Sequence, residues 1–430
     1  MSIVYNAKKA SDLVVGGRHM REAWINGGKI WPDNDEWFEV QYKPIAQITL
    51  YIRQMPDEAL EVDWGDGNLE RINSLTDAYN SSVTHQYDQV KTRVIKFKGN
   101  IIGVHFSNYI ADTIMDEESH ETLAKKVPEL EYVLNIPGWF KPTEASYTFA
   151  GCSSLKTVPW FDITNSRYTM QMFAGCSSLV EIPALDFSKT EAASGAFAYC
   201  RLLKHLPDLD FRRCTDIGGA FQGCTLLERV KMLTATDTLC YLSSLNSTFA
   251  NCENLEWVDA KMNCTAAIPI GAKVSAYNMF RNCYKLQNIP FGNAQGIVDF
   301  EGCFKNCKSL VNIELTLRNG RYFKSMFEGC SNLIKVNLTL NYERNSATQI
   351  YFPKYVIDSM FKDCILLTFL TTTTYDWGSS GYTKIDSIYP NSYDSRYKDT
   401  YPFEGCQALR REEIPSGLRW IYDDYHKEEV

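Results

Sequence analysis

The sequence predicts a mainly β chain with short helical turns, in which a long solenoid follows two smaller β units. Three observations predict it. The pattern Phe-x-x-Cys-x-x-Leu occurs ten times between Phe149 and Leu409, and the copies start 23 to 42 residues apart, most often 24. A period in the twenties marks repeats that stack, because one such unit cannot close a core alone. A short apolar segment follows each copy, and two β-rich stretches with tight turn signals precede the first one.

The copies begin at Phe149, Phe173, Phe197, Phe221, Phe249, Phe280, Phe304, Phe327, Phe361 and Phe403. The segments after the Leu read as strands with one buried face: Ile313, Leu315 and Leu317 point one way, Glu314 and Thr316 the other. Pro159, Pro183, Pro207 and Pro290 sit early in other copies, where a residue without an amide proton fits a strand start or a bend. The residue before the Cys is Gly in five copies and Asn in three, the types that tolerate positive φ. The spacing thus predicts a helical turn carrying the Phe, a left-handed corner, and then Cys and Leu turned inward. Of the fourteen Cys, ten belong to the repeat. Equivalent positions stack as a ladder, so these thiols are expected to act as small buried hydrophobes rather than as disulfide partners or metal ligands. Cys-x-x-Cys and zinc-finger spacings are absent.

This Phe-x-Gly-Cys-x-x-Leu pattern resembles the BspA-like leucine-rich repeats, which are common in surface proteins of gut Bacteroidetes and in phages of those hosts. The resemblance implies a leucine-rich-repeat solenoid over residues 147–411 and an adhesive or structural role without catalysis. Tyr199 and Asp363 depart from the Gly/Asn corner.

Ahead of the repeats, residues 1–36 hold two short β-runs around Asn26-Gly27, a hairpin signal. The phrase Asn26-Gly-Gly-Lys-Ile-Trp-Pro32 resembles the N-terminal β-modules of phage tail and fibre proteins. On that reading Trp24, Ile30 and Trp31 dock the chain onto a virion partner; a hairpin packed on the next domain fits equally. In residues 37–107, Val62-Asp-Trp-Gly-Asp-Gly67 and Thr84-His-Gln-Tyr87 resemble a polycystin-type (PKD) immunoglobulin-like domain, which implies a β-sandwich spacer. Asp63 and Asp66 fall short of the six to eight oxygens that calcium takes, so no metal is expected there. Residues 108–146 are expected to form a linker with a helix before Pro128. A degenerate first coil then follows at Leu130 and Val133 and caps the solenoid. Residues 412–430 are expected to cap the far end.

Composition narrows the function. A net charge of −8 argues against a nucleic-acid partner. The sequence lacks an apolar run long enough to span a membrane. Read from a native Met, the N-terminus has no hydrophobic signal region, so export by the usual route is not expected. A virion protein needs none, because it assembles in the host bacterial cytoplasm. The histidines are scattered, and neither a nucleophile elbow nor a phosphate loop occurs, so neither an enzyme nor a cofactor is expected.

Binding is expected on insertions between coils. The longest of these, residues 375–401, carries Tyr375, Trp377, Tyr382, Tyr389, Tyr393, Tyr397 and Tyr401, seven aromatic residues in 27. Set among Ser, Gly, Asp and Asn, such residues give large contact area at low entropic cost. Three readings fit this loop: ligand binding, packing against a sister subunit, or a cover over the last coils. The expected function is therefore a phage tail or head fibre or decoration protein. It would be a homo-oligomer held by other virion proteins and would contact a host-surface glycan or protein. A bacterial cell-surface adhesin is the alternative, and a glycan-degrading enzyme comes last.

Overall fold

The structure, a computed structural model, describes residues 37–54, 59–73, 82–99, 101–106, 129–233, 243–260, 274–291, 294, 296–317, 320, 322–340, 357–376, 381–384, 402–414 and 419, with four short strands before them. It divides into two compact units, Met1–Lys189 and Thr190–Val430.

In the first unit, β1 (Val14–Val15) pairs with β2 (Arg18–His19), and β3 (Ala23–Ile25) with β4 (Gly28–Trp31). Ile25 faces Gly28, the register expected of a hairpin at Asn26-Gly27. One six-stranded antiparallel sheet follows. Its strands are β5 (Phe38–Gln54), β6 (Leu60–Asp63), β7 (Leu69–Ile72), β8 (Ser82–Lys98), β9 (Ile101–His105) and β10 (Leu130–Asn135), in the order β10-β5-β8-β6-β7 with β9 also on β5. Phe38, Val40 and Tyr42 alternate inward from β5 and meet Ile95 and Phe97 of β8, all fully buried. Phe38 stacks on Phe97 with ring centroids 4.7 Å apart.

The turn after β6 is held by its own polar groups. Asp63 accepts the Gly65 N–H (2.9 Å), while Asp66 accepts the Asn68 N–H (3.0 Å) and meets His85 Nε2 (2.7 Å). The Tyr87 hydroxyl donates to the carbonyl of buried Trp64, and the indole N–H donates to Glu70. Both carboxylates are thus engaged in the turn.

Leu130 and Val133 do not form a coil of the repeat. They lie in β10, antiparallel to β5, because both inward faces close the core of the sheet. The first repeat instead rests on β9. Phe106 N donates to Thr148 O, Ile102 O accepts from Thr143 N, and the Phe106 ring stacks on Phe149 at 5.4 Å. The helix expected before Pro128 lies outside the described residues.

The repeats share one scheme. Where both positions are described, the residues two before and two after the Phe have positive φ, as at Gln171 (51°), Ser247 (53°), Asn306 (63°) and Gly329 (73°). Tyr199 and Asp363 take the same conformation at 60° each, so the corner holds where its usual residue types do not. Alternate amides consequently leave the turn. Phe197 N donates to Ala220 O (2.7 Å) of the next repeat, while Ala198 N stays within the turn on Gly195 O (3.0 Å). A helix would keep every amide to itself, so the expected helical turn does not form; the fold is mainly β, and the 3₁₀ turn Arg411–Glu413 is the one helical element named among the described residues.

In the second unit the Phe rings from Phe197 to Phe403 form an unbroken stack, 5.2–5.8 Å between neighbours and within 10° of parallel. Spacing of 28 to 42 residues leaves that stack unchanged. Parallel strands lie beside it: β11 (Leu209–Asp210), β12 (Arg229–Leu233) and β13 (Trp257–Asp259) form one sheet. A second, β14 (Val274–Ser275), pairs with β15 (Ile297–Asp299). The third is β16 (Asn312–Leu317), β17 (Lys335–Leu340), β18 (Phe369–Asp376) and β19 (Gly381–Lys384), of which β19 runs antiparallel. After β13 the Asn288 carboxamide takes a strand's place, accepting from Val258 N (3.0 Å) and donating to Val258 O (2.9 Å).

Candidate interaction surface

Alternation in the parallel strands decides which side chains face out. In β12 and β13 they are Arg229, Lys231 and Leu233, then Trp257 and Asp259; Arg229 lies beside Trp257 and Lys231 beside Asp259. In the third sheet Asn312, Lys335 and Phe369 share one row, and Glu314 and Asn337 share the next. Trp257 is 47% exposed and Phe369 43%, with the Lys335 ammonium 4.9 Å from the Phe369 ring centroid. Val311, Ile334, Ile365 and Leu366 are exposed nearby in sequence. Large apolar side chains set among amides and ions of both signs suit contact with an amphipathic partner. The sequence reading missed these residues because it sought recognition only in the insertions. The signal that finds them is the polar side of the alternation, where an aromatic residue breaks the pattern.

Of the residues picked from the sequence, Tyr375 and Tyr382 are register partners along the backbone of the β18–β19 pair. Trp377, Tyr389, Tyr393, Tyr397 and Tyr401 lie outside the described residues. Trp24 belongs to β3, and Ile30 and Trp31 to β4.

The thiols face inward. In the second unit the repeat thiols from Cys224 to Cys406 each donate to the carbonyl of the Phe one repeat earlier, from Cys224 on Phe197 O (3.0 Å) to Cys406 on Phe361 O (3.0 Å); Cys214 donates to Thr190 O (3.3 Å). Burial pushes the thiols of Cys224 and Cys330 up to about 12, so neither supplies a nucleophilic thiolate near neutral pH. Cys240 and Cys264 lie outside the described residues. Among the described residues no group of three or more His, Cys, Asp or Glu side chains is placed to hold a metal. No described helix is long and apolar enough to cross a membrane.

Charged residues alternate on the turn side of the repeats. In the position after the Phe, Lys305 meets Glu328 (2.9 Å) and Lys362 meets Glu404 (2.9 Å); four residues earlier in their repeats, Lys324 meets Asp358 (3.7 Å). Signs alternate from Lys305 to Glu404 in the one row and from Lys324 to Asp358 in the other.

The family model described as the BspA type leucine rich repeat region matches residues 143–266 and 220–375, in six copies. Among solved structures, a leucine rich cell surface protein from Faecalibacterium prausnitzii A2-165 is 17% identical over 52% of this chain and 74% of that one, at a TM-score of 0.23, too low to bear on the fold. No curated protein matches the chain. With more than half of its residues inside the matched region, the chain belongs to the BspA-type leucine-rich repeat family.

Proposed function

We propose that this chain is a cell-surface attachment protein. Its repeats form a solenoid whose outward strand faces bind a glycan or protein of another surface, and residues 37–107 serve as an immunoglobulin-like spacer of the PKD kind. The observation that carries this reading is the pair of exposed aromatic residues, Trp257 and Phe369, standing on outward strand positions amid hydrogen-bonding side chains. Membership of the BspA-type repeat family, whose repeats are common in surface proteins, supports it. The virion reading rested on the first residues of the sequence, on the N-terminal hairpin and on the occurrence of such repeats in phages, and the family match does not favour it over the surface reading. The aromatic segment 375–401 is proposed to widen the same contact.

The test has two arms. Immunogold labelling of intact producing cells is expected to decorate their surface; label confined to virus particles would restore the virion reading. W257A/F369A is expected to lower binding of the purified chain to target cells by about ten-fold or more, the loss of two aromatic anchors, with an unchanged thermal melt. Undiminished binding would remove the strand face from the contact. Serine at Tyr389, Tyr393 and Tyr397 is expected to weaken binding without lowering the melt, whereas a lower melt would make that segment a cover.

A further inference from the structure

The two exposed aromatic residues of the strand faces stand in different surroundings. Phe369 carries the Lys335 ammonium over its ring, its amide donates to Ile334 O (3.2 Å), and Ile334, Ile365 and Leu366 are exposed beside it in chain or register. A cation therefore already occupies that ring face, next to aliphatic side chains. Trp257 differs. It ends a row that runs His205, Arg229, Trp257 through parallel pairing, and the next row on the same face is Lys231 beside Asp259. Leu233, also exposed, stands two positions beyond Lys231. Beyond β13 no strand continues the sheet among the described residues. The Asn288 carboxamide stands there instead, bonded through both its oxygen and its nitrogen to the backbone of Val258, one residue along from the indole. Two bonds to one residue fix the carboxamide, and one N–H and one oxygen lone pair remain for a ligand.

The ions around Trp257 are matched. Lys204 meets Glu228 (3.1 Å), Lys231 meets Asp208, and Arg229 lies 4.0 Å from Glu256, which leaves Asp259 as the one further charge. An anionic polymer finds no surplus of cations there, and an apolar side chain of a peptide finds no aliphatic neighbour in the rows of Trp257 and Asp259. A pyranose fits both conditions. Its C–H face lies against the electron-rich face of an indole, and its hydroxyls, each donor and acceptor, meet planar groups already held in place. We propose that Trp257 is the platform of a carbohydrate subsite for an uncharged pyranose of a surface glycan, with Asn288, Arg229 and Asp259 receiving its hydroxyls. This inference rests on the outward strand faces being the contact surface, and it commits that surface, at Trp257, to a neutral sugar.

The test is binding of the purified full chain to an array of neutral hexose and N-acetylhexosamine oligosaccharides, with heparin and polygalacturonate as anionic controls, run beside its binding to target cells. The chain is expected to bind at least one neutral oligosaccharide, and the same sugar in solution is expected to compete for the cells. W257A is expected to lower sugar binding by about ten-fold or more, W257F to keep part of it, and D259A to lower it about three-fold or more, each with an unchanged thermal melt. Y322A, which removes a similarly exposed ring from another part of the repeat, is expected to leave sugar binding unchanged. If no neutral sugar binds while W257A still weakens attachment to cells, the partner at Trp257 is a protein: the sugar assignment falls and the contact surface stands. Binding to the anionic controls alone would overturn the proposal, as would equal losses in W257A and Y322A. If W257A alters neither sugar nor cell binding, the subsite and the strand face at Trp257 fall together.

Discussion

The first and last repeats end on different partners. In the first unit the repeat of Phe149 sits on a sheet with its own core: Phe106 stacks on Phe149 on one side and lies 5.4 Å from Phe38 on the other, and its carbonyl accepts the Tyr42 hydroxyl at 3.0 Å. In the second unit the repeat of Phe403 is held by a ring stack, a few amides and an ion pair. Both ends use the same Phe-on-Phe contact. The difference lies in what stands behind the ring. A repeat backed by an independent core shares its cooperativity, whereas a repeat late in an array depends on the stack it joins.

Truncating the ring at each end tests this contrast most strongly. Phe106→Ala is expected to cost about 3–5 kcal/mol, the usual range for a fully buried aromatic, and to lower the melt of the first unit as a whole. Phe403→Ala is expected to leave the transition of the first unit in place. Equal shifts of the main melt, read by calorimetry, would mean that the two ends are equally backed.

Corner glycines sharpen the same comparison at smaller cost. A Cβ on Gly329 (φ +73°) would fall 2.1 Å from Asn306 Oδ1, and one on Gly405 (φ +74°) 2.4 Å from Asp363 Oδ1. Glycine is required there by the side chain on the corner of the previous repeat as well as by φ. Where that side chain continues a ladder, the next corner is again Asn, as in Asn251, Asn282 and Asn306, joined amide to amide at 2.7 and 2.8 Å. Gly329→Ala is expected to destabilise by about 1–3 kcal/mol. Adding N306G should recover part of that loss, and G405A should cost less because the end repeat can shift. A double-mutant cycle without coupling between 306 and 329 would remove the steric account.

How much of this was legible depended on whether a position keeps one residue type. The Phe, Cys and Leu rows were readable because a single core accepts only those shapes at those heights. The second left-handed position was not, because Tyr147, Gln171, Ser247, Asn278 and Ser359 share no residue type; at Tyr147, Ser247 and Asn278 the amide donates to the next repeat, which goes with that φ. Phe106 was hidden for a related reason. It carries the ring of a repeat and neither its Cys nor its Leu, since β9 supplies the remaining contacts through backbone. At the candidate surface, Trp257 and Phe369 were visible as aromatics on the polar phase of a strand. The pairing that sets Arg229 beside Trp257 and Lys335 beside Phe369 needed the register.

The smallest effect separates the two regions by charge. The residue after the Phe is Ala150 and Ala174 in the first unit, but Lys305, Glu328, Lys362 and Glu404 late in the second. Burial pushes the Glu328 carboxyl upward, yet the Ser325 hydrogen bond and the Lys305 ammonium outweigh it and hold the group below its ordinary 4.5. A depressed carboxylate adds stability above its unfolded-state value and loses it as pH falls through the folded one. Acidification below pH 4.5 should therefore loosen the contact between the repeats of Phe304 and Phe327, where Lys305 meets Glu328, before that between the repeats of Phe149 and Phe173, whose flanking alanines have no proton to take up. Glu328→Gln should flatten that acid response while costing only about 0.2–1 kcal/mol at neutral pH, the range for partly exposed ion pairs. Hydrogen exchange at pH 3.5 and 7, compared at Phe327 and Phe149, reads the difference directly. Identical acid sensitivity at both amides would show that the alternating charges fix register without contributing measurable stability.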